Sequence, residues 1–127
     1  MSNYRALLVD DEEELVSTLV ERLEYRGYRA DYTTNGRDAL EMLRKTAYDV
    51  VVVDLKLPGM SGEELLNTIQ VAYPHLPVLM VTGHGSGSHK EEPKPAGAFG
   101  LLLKPVDISE LVDKMTEAIE AKTKERK

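Results

Sequence analysis

The feature that most constrains the fold is an unbroken β-branched run, Val50 to Val53, that ends in Asp54. Such a run predicts a strand buried on both faces, because a half-exposed strand would alternate apolar with polar residues. Pro58, Gly59 and Gly62 follow and indicate a loop. We therefore expect Asp54 at the carboxyl end of a central parallel strand, which is where open α/β sheets bind ligands.

Four other segments predict strands, and the stretches between them predict helices. Gly27 is expected to end the first helix, Asn35 to cap the second, and Ser61 with Glu64 to form a capping box for the third. This alternation predicts an α/β fold, a flavodoxin-like doubly wound five-stranded parallel sheet in the order 2-1-3-4-5. The predicted strands are residues 6–9, 29–33, 50–54, 78–81 and 101–103.

The segment between the fourth and fifth strands interrupts the alternation. A helix across it would contain Gly85, Gly87, Pro93 and Pro95. At about 1 kcal/mol per Gly and about 3 kcal/mol per Pro, the total penalty is roughly 8 kcal/mol. Whole domains are stable by only about 5–15 kcal/mol. The fourth helix is therefore expected to be short or replaced by a loop.

Length and composition predict one domain. The 127 residues are 42% hydrophobic and 30% charged, and we expect the domain to cover residues 1–121, with residues 122–127 a fraying polar tail or the start of a linker. There is no Cys, so thiol chemistry is excluded. A net charge of -6 argues against nucleic-acid binding, and no apolar run approaches membrane-spanning length. A cytoplasmic location is expected.

Charged and polar side chains follow the predicted strands where those strands end. Asp10 and Asp11 follow the first strand, Asp54 the third, Thr82 the fourth and Lys104 the fifth. Carboxyl ends of parallel strands share one edge, so these side chains should converge. Two like charges about 4 Å apart repel by about 4 kcal/mol at an effective dielectric near 20, so clustered carboxylates favour a divalent cation such as Mg²⁺. A carboxylate beside Mg²⁺ and an ammonium can attack phosphorus.

The same residues carry a resemblance that covers nearly the whole chain. The motifs, in chain order, are Asp10-Asp11, Asp54 with Leu57-Pro58-Gly59 and Gly62, Val81-Thr82-Gly83, and Lys104-Pro105. With these motifs the sequence resembles a bacterial two-component response regulator receiver domain.

The resemblance implies a role for each reactive residue. Asp54 matches the phosphoacceptor, which takes a phosphoryl group from a histidine of a sensor kinase or a phosphotransfer protein. Thr82 matches the hydroxyl that pairs with the phosphoryl group, and Lys104 matches the family's lysine. The Lys104-Pro105 bond is cis in such domains.

The resemblance also implies a metal site. Asp10 and Asp11 match the acidic pair that binds Mg²⁺. The carboxylate of Asp54 and the backbone carbonyl of Lys56 would complete the protein ligands.

Two departures from the family pattern concern how the signal is read out. Receiver domains usually have Tyr or Phe three residues before the lysine, where this chain has Leu101. The Gly/Pro-rich segment stands where the family has its fourth helix. Leu101, His84 and Pro105 are the candidates for switching and rate tuning, and Lys56 has a position that can also tune hydrolysis.

The implied function is a phosphorylation-controlled signalling domain that assists its own phosphorylation and dephosphorylation but does not turn over an outside substrate. Its partners would be the kinase or phosphotransfer protein and an output domain or partner protein, without direct nucleic-acid or membrane binding. A monomer or a phosphorylation-dependent dimer is expected.

Two other functions stay open from the sequence. A haloacid dehalogenase-type phosphohydrolase places Asp-x-Asp after its first strand and adds a cap insertion, whereas this chain has Asp10-Asp11-Glu12 and no such insertion. A degenerate receiver that binds proteins independently of phosphorylation is the main alternative. The full set of acidic, hydroxyl and lysine residues argues against it, while Leu101 and the missing helix keep it open.

Overall fold

The structure is a computed structural model that describes residues 4–83 and 95–125. Strands and helices alternate along most of the chain, as the sequence predicts. The strands are β1 (Arg5–Val9), β2 (Arg29–Thr33), β3 (Val50–Asp54), β4 (Val78–Thr82) and β5 (Gly100–Leu103). The helices are α1 (Glu13–Tyr25), α2 (Gly36–Lys45), α3 (Gly62–Ala72) and α4 (Ile108–Glu125).

The five strands form one parallel sheet in the order β2-β1-β3-β4-β5. The predicted flavodoxin-like order is therefore confirmed. β3 is the central strand, and all of its residues are buried. Among the described residues, no helix is both long and apolar enough to cross a membrane.

The valine run of β3 divides the core into two layers. Because successive side chains of a strand point to opposite faces, Val50 and Val52 pack on one side of the sheet, and Val51 and Val53 pack on the other. The first layer is covered by α1 and α4, and the second by α2 and α3. Burial on both faces is what the sequence predicts for this strand.

The predicted helix ends are confirmed in detail. The Asn35 side chain accepts a hydrogen bond from the backbone N–H of Asp38, and Ser61 forms a reciprocal capping box with Glu64. Gly27 follows α1 with a φ of +94°, a left-handed conformation that suits glycine at a helix end. These local signals set the points where the chain leaves and enters the sheet.

Two expectations concern less regular segments. α4 continues to Glu125, past the start of the polar tail predicted from residue 122, and the fraying of that tail stays a prediction. Lys, Glu and Ala are strong helix formers, so the polar sequence itself favours continuation of the helix. The 1–121 domain boundary itself stays a prediction. The predicted short helix or loop before β5 falls on residues 84–94, which lie outside the described residues.

Candidate functional site

Backbone hydrogen bonds hold the strand ends side by side at the carboxyl edge of the sheet. The N–H of Asp10 donates to the carbonyl of Thr33 at 3.1 Å. The N–H of Lys104 donates to the carbonyl of Thr82 at 2.9 Å. Just past Asp54, the N–H of Leu55 donates to the carbonyl of Val81 in β4 at 2.8 Å. The sheet therefore fixes the relative positions of the residues that the sequence predicts to converge.

The acidic residues at this edge differ in burial. Asp10 and Asp54 are only 6% and 5% exposed, whereas Asp11 is exposed. Thr82 is also buried, and its hydroxyl donates to the carbonyl of Gly83 at 3.2 Å. Buried carboxylates are costly unless they are paired. The pairing of Asp10 and Asp54 is therefore the central feature of the site.

Lys104 pairs with three carboxylates at once. Its Nζ lies 3.0 Å from Asp10 Oδ2 and 2.9 Å from Asp54 Oδ2, and it also contacts Glu12 Oε1. The remaining oxygens of the two buried carboxylates have backbone donors. Asp10 Oδ1 accepts the N–H of Glu12 at 2.9 Å, and Asp54 Oδ1 accepts the N–H of Lys56 at 3.1 Å. Both buried carboxylates are thus hydrogen-bonded on both oxygens.

Burial and crowding shift the ionisation of this cluster. Burial raises the pKa of Asp10, and the nearby charge of Asp54 adds to that rise. Hydrogen bonds from the Glu12 N–H and from Lys104 only partly oppose it. Burial alone would lower the pKa of Lys104, but its hydrogen bonds to Glu12, Asp54 and Asp10 raise the pKa above its usual range. Lys104 is therefore an ammonium at neutral pH, and one positive charge faces three carboxylates.

The donor set fits a hard divalent cation. One carboxylate oxygen from each of Asp10, Glu12 and Asp54 lies within 4.8 Å of the others. Together they offer only oxygen ligands, and the single positive charge of Lys104 does not balance their negative charge. A few carboxylates that leave room for water suit Mg²⁺ better than a Ca²⁺ cage.

The predicted metal residues occupy one crevice but do not all join this group. Asp11 and Lys56 line the crevice with Glu12, Asp54 and Lys104. The exposed Asp11 is not one of the three clustered carboxylates. The metal-ligand roles of Asp11 and of the Lys56 carbonyl stay predictions. The sequence interpretation missed Glu12, to which it assigned no role in the site. The signal was present in the unbroken acidic run that follows β1.

The switch and rate-tuning candidates have different surroundings. Leu101 is half-buried on β5 and packs against the core layer that α2 and α3 cover. Pro105 lines the crevice, and the Lys104-Pro105 peptide bond is cis, as expected. His84 lies outside the described residues. The roles of Leu101, Pro105 and His84 stay predictions.

Gly62 lies very close to the backbone of Asp54, and the sequence did not predict this contact. A Cβ added to Gly62 would lie 2.3 Å from the carbonyl oxygen of Asp54. The N–H of Gly62 donates to the carbonyl of Leu55 at 3.0 Å. Only glycine allows the first turn of α3 to approach the end of β3 this closely.

Comparisons with known proteins agree with this geometry. A family model described as "Response regulator receiver domain" matches residues 6–116. Sporulation initiation phosphotransferase F of Bacillus subtilis is 32% identical over 97% of this chain and 99% of its own length. Response regulator protein PilR of Pseudomonas aeruginosa is 34% identical over 98% of this chain.

Some relatives are much longer than this chain, and solved structures share its fold. The chain spans 28% of PilR and 23% of response regulator protein FleR from Pseudomonas aeruginosa. A CheY-like response regulator receiver domain protein from Methanospirillum hungatei superposes with a TM-score of 0.85 at 30% identity, over 98% of this chain and 99% of that one. A receiver domain protein from Clostridium thermocellum gives a TM-score of 0.84 at 30% identity, over 94% and 97% of the two chains.

Proposed function

The chain belongs to the response regulator receiver domains of two-component systems, and we propose that its Asp54 accepts a phosphoryl group from a histidine of a sensor kinase or phosphotransfer protein. The observation that carries this proposal is the buried carboxylate of Asp54 at the end of β3, 2.9 Å from the Lys104 ammonium. The open crevice beside it is lined by Asp11, Lys56 and Pro105, so a phosphorylated side chain of a partner can approach.

The proposed step is one phosphoryl transfer. A carboxylate oxygen of Asp54 forms a bond to phosphorus, the P–N bond of phosphohistidine breaks, and its electron pair returns to the imidazole nitrogen. Lys104 is placed to stabilise negative charge on the transferring group, and the Thr82 hydroxyl to donate a hydrogen bond to it. The product is an aspartyl phosphate at the carboxyl edge of the sheet.

The proposal includes Mg²⁺ as the cofactor. Asp10, Asp11 and Asp54, with the carbonyl of Lys56, are the ligands expected from the family pattern, and Glu12 adds a further carboxylate to this group. When bound, the cation supplies positive charge next to the oxygens of the transferring group. The chain's own part is to hold the carboxylates close together, with Asp10 fixed by the Glu12 N–H and Asp54 fixed by the Lys56 N–H.

The biological context is also part of the proposal. Each domain would take up one phosphoryl group and lose it again, and it would not act as an enzyme on an outside substrate. Phosphorylation would change a surface that an output domain or a partner protein reads, with the domain a monomer or a phosphorylation-dependent dimer in the cytoplasm. The greater length of some relatives, of which this chain spans about a quarter, supports an output domain as a reader of this surface.

Intact mass spectrometry tests the phosphoacceptor. The wild type, Asp54→Asn and Asp49→Asn are incubated with acetyl phosphate as donor, in Mg²⁺ or in EDTA. Asp49 is the matched control because it directly precedes the amino end of the same strand. We expect the wild type and Asp49→Asn to gain one phosphoryl group in Mg²⁺ only, and Asp54→Asn to gain none. Uptake by Asp54→Asn, or no uptake by the wild type, would contradict the proposal.

A further inference from the structure

Glu12 is the exposed member of the three carboxylates on Lys104. Its side chain is 60% exposed, whereas those of Asp10 and Asp54 are 9% and 6% exposed. Its backbone N–H is fixed to Asp10 Oδ1, so the residue cannot drift from the site even though its carboxylate faces solvent. Glu12 is thus anchored by its main chain, and its solvent-exposed carboxylate contacts Lys104.

The ammonium of Lys104 has no spare donor in this arrangement. An ammonium carries three N–H donors, and Lys104 has three carboxylate partners. An anion attached to Asp54 adds an acceptor beside Lys104, so it can bond to the ammonium only if one of these three contacts is given up. The exposed Glu12 is the partner that water replaces most readily, since Asp10 and Asp54 are enclosed by the strand ends.

We propose that Glu12 is a releasable positioning residue: it holds Lys104 while Asp54 is unmodified and gives the lysine up to an anion bound at Asp54. This inference rests on the proposed function, because the displacing anion is the phosphoryl group. Glu12 also belongs to the group of three carboxylates whose oxygens lie close enough to hold a cation. Its charge therefore favours the cation and opposes the anion.

Removing the charge of Glu12 should move the two affinities in opposite directions. Glu12→Gln keeps the size of the side chain but weakens its hold on Lys104. Affinity for an anion at Asp54 should rise, and affinity for Mg²⁺ should fall. Exposed ion pairs have modest energies, so each change should be about two- to fivefold. Substitution of a residue with only a structural role would not change the affinities for Mg²⁺ and for the anion in opposite directions.

The test uses two binding titrations by calorimetry on the whole chain. The first titrates Mg²⁺ alone, and the second titrates beryllofluoride, a phosphoryl mimic, at saturating Mg²⁺. Glu13→Gln is the matched control. It removes the same charge from the adjacent residue, whose carboxylate accepts the hydroxyl of Tyr32 at 3.0 Å.

We expect weaker Mg²⁺ binding and tighter beryllofluoride binding in Glu12→Gln, and both shifts to be much smaller in Glu13→Gln. Equal shifts in the two variants, or changes of the same sign for both ligands, would overturn the role of Glu12 and leave the proposed function standing. If the wild type and Asp54→Asn were equally unable to bind beryllofluoride, the proposed function would fail, and this inference with it.

Discussion

Two aspartates flank the valines of β3 and are used in opposite ways. At the amino end, Asp49 Oδ2 accepts the backbone N–H of Arg5 at 2.8 Å, and the Asp49 N–H donates to the Arg5 carbonyl at 2.7 Å. At the carboxyl end, Asp54 shares the Lys104 ammonium with two other carboxylates. The same residue type joins two strands at one end and crowds like charges at the other.

The two ends of β3 therefore differ in their effect on stability. Asp49 stabilises the fold, whereas the carboxylates at the carboxyl end lower its stability. Asp49 has a neutral backbone partner, so its contacts favour the folded state. Asp10 and Asp54 lie together with an excess of negative charge, and burial, reinforced by the charge of Asp54, raises the pKa of Asp10. That excess of negative charge would favour the binding of a cation and the attack of a carboxylate on phosphorus. Substitutions at the two ends should therefore have contrasting effects on stability and on phosphoryl uptake.

The largest stability effect is expected for Lys104→Met. Without the ammonium, Asp10 and Asp54 lose their shared cation while they stay buried, so the free energy of unfolding in EDTA should fall by about 3 kcal/mol. Excess Mg²⁺ should restore part of the loss because it supplies positive charge. Urea unfolding in EDTA and in Mg²⁺ measures both effects. Unchanged stability in EDTA would show that the lysine does not compensate the carboxylates.

Gly62→Ala should be the next most damaging change. The new Cβ would overlap the Asp54 carbonyl, so the start of α3 or the end of β3 must shift, at a cost of about 2 kcal/mol. Phosphoryl uptake should slow as well, because Asp54 moves. Gly83→Ala is the control, since a Cβ there meets nothing within 4 Å. Equal melting temperatures for the two variants would contradict the close approach.

At the amino end, Asp49→Ala should lower the free energy of unfolding by about 1 kcal/mol, because the partly buried N–H of Arg5 loses its acceptor. Asp49→Asn keeps an acceptor oxygen and should lose less. Both variants should still take up one phosphoryl group. Chemical unfolding and intact mass give the two readouts. Loss of uptake in either variant would remove the contrast between the two ends of β3.

The smallest expected effect has the opposite sign. Asp10→Asn should raise the melting temperature in EDTA at pH 7, by no more than about 4 °C. The raised pKa of Asp10 means that its charged form is disfavoured in the folded state. This penalty is fully present well above that pKa, shrinks as the pH falls through it, and is gone below the ordinary value of 3.8.

Melting curves of the wild type and Asp10→Asn across this pH range measure the penalty. The gap between the two proteins should close toward acid pH. A gap that is constant with pH, or a variant that is less stable at neutral pH, would contradict the origin assigned to the raised pKa.

Much of the fold and site was predictable because the signals are local or follow from parallel topology. The valine run predicts its own burial, and parallel strands place Asp10, Asp54, Thr82 and Lys104 at one edge whatever the details of the loops. The helix caps at Asn35 and Ser61 depend on residues only three apart. Each of these inferences needs no knowledge of distant contacts.

The rest depends on tertiary geometry. Which acidic residue reaches Lys104 is set by the backbone at the junction of β1 and α1, so the sequence could not choose Glu12 over its neighbours. The need for glycine at position 62 comes from the distance between α3 and the Asp54 carbonyl. The continuation of α4 to Glu125 could not be predicted from apolar periodicity, because the last residues of the helix are mostly polar.

The reactive carboxylate is located most directly by trapping the acyl phosphate. After incubation with acetyl phosphate and Mg²⁺, borohydride reduces a phosphorylated aspartate to homoserine, and peptide mass spectrometry identifies the position. We expect homoserine in place of Asp54, with Asp49 unchanged. Homoserine in place of Asp10, Asp11 or Asp49, with Asp54 intact, would contradict the assignment of the carboxyl end of β3 as the phosphoacceptor.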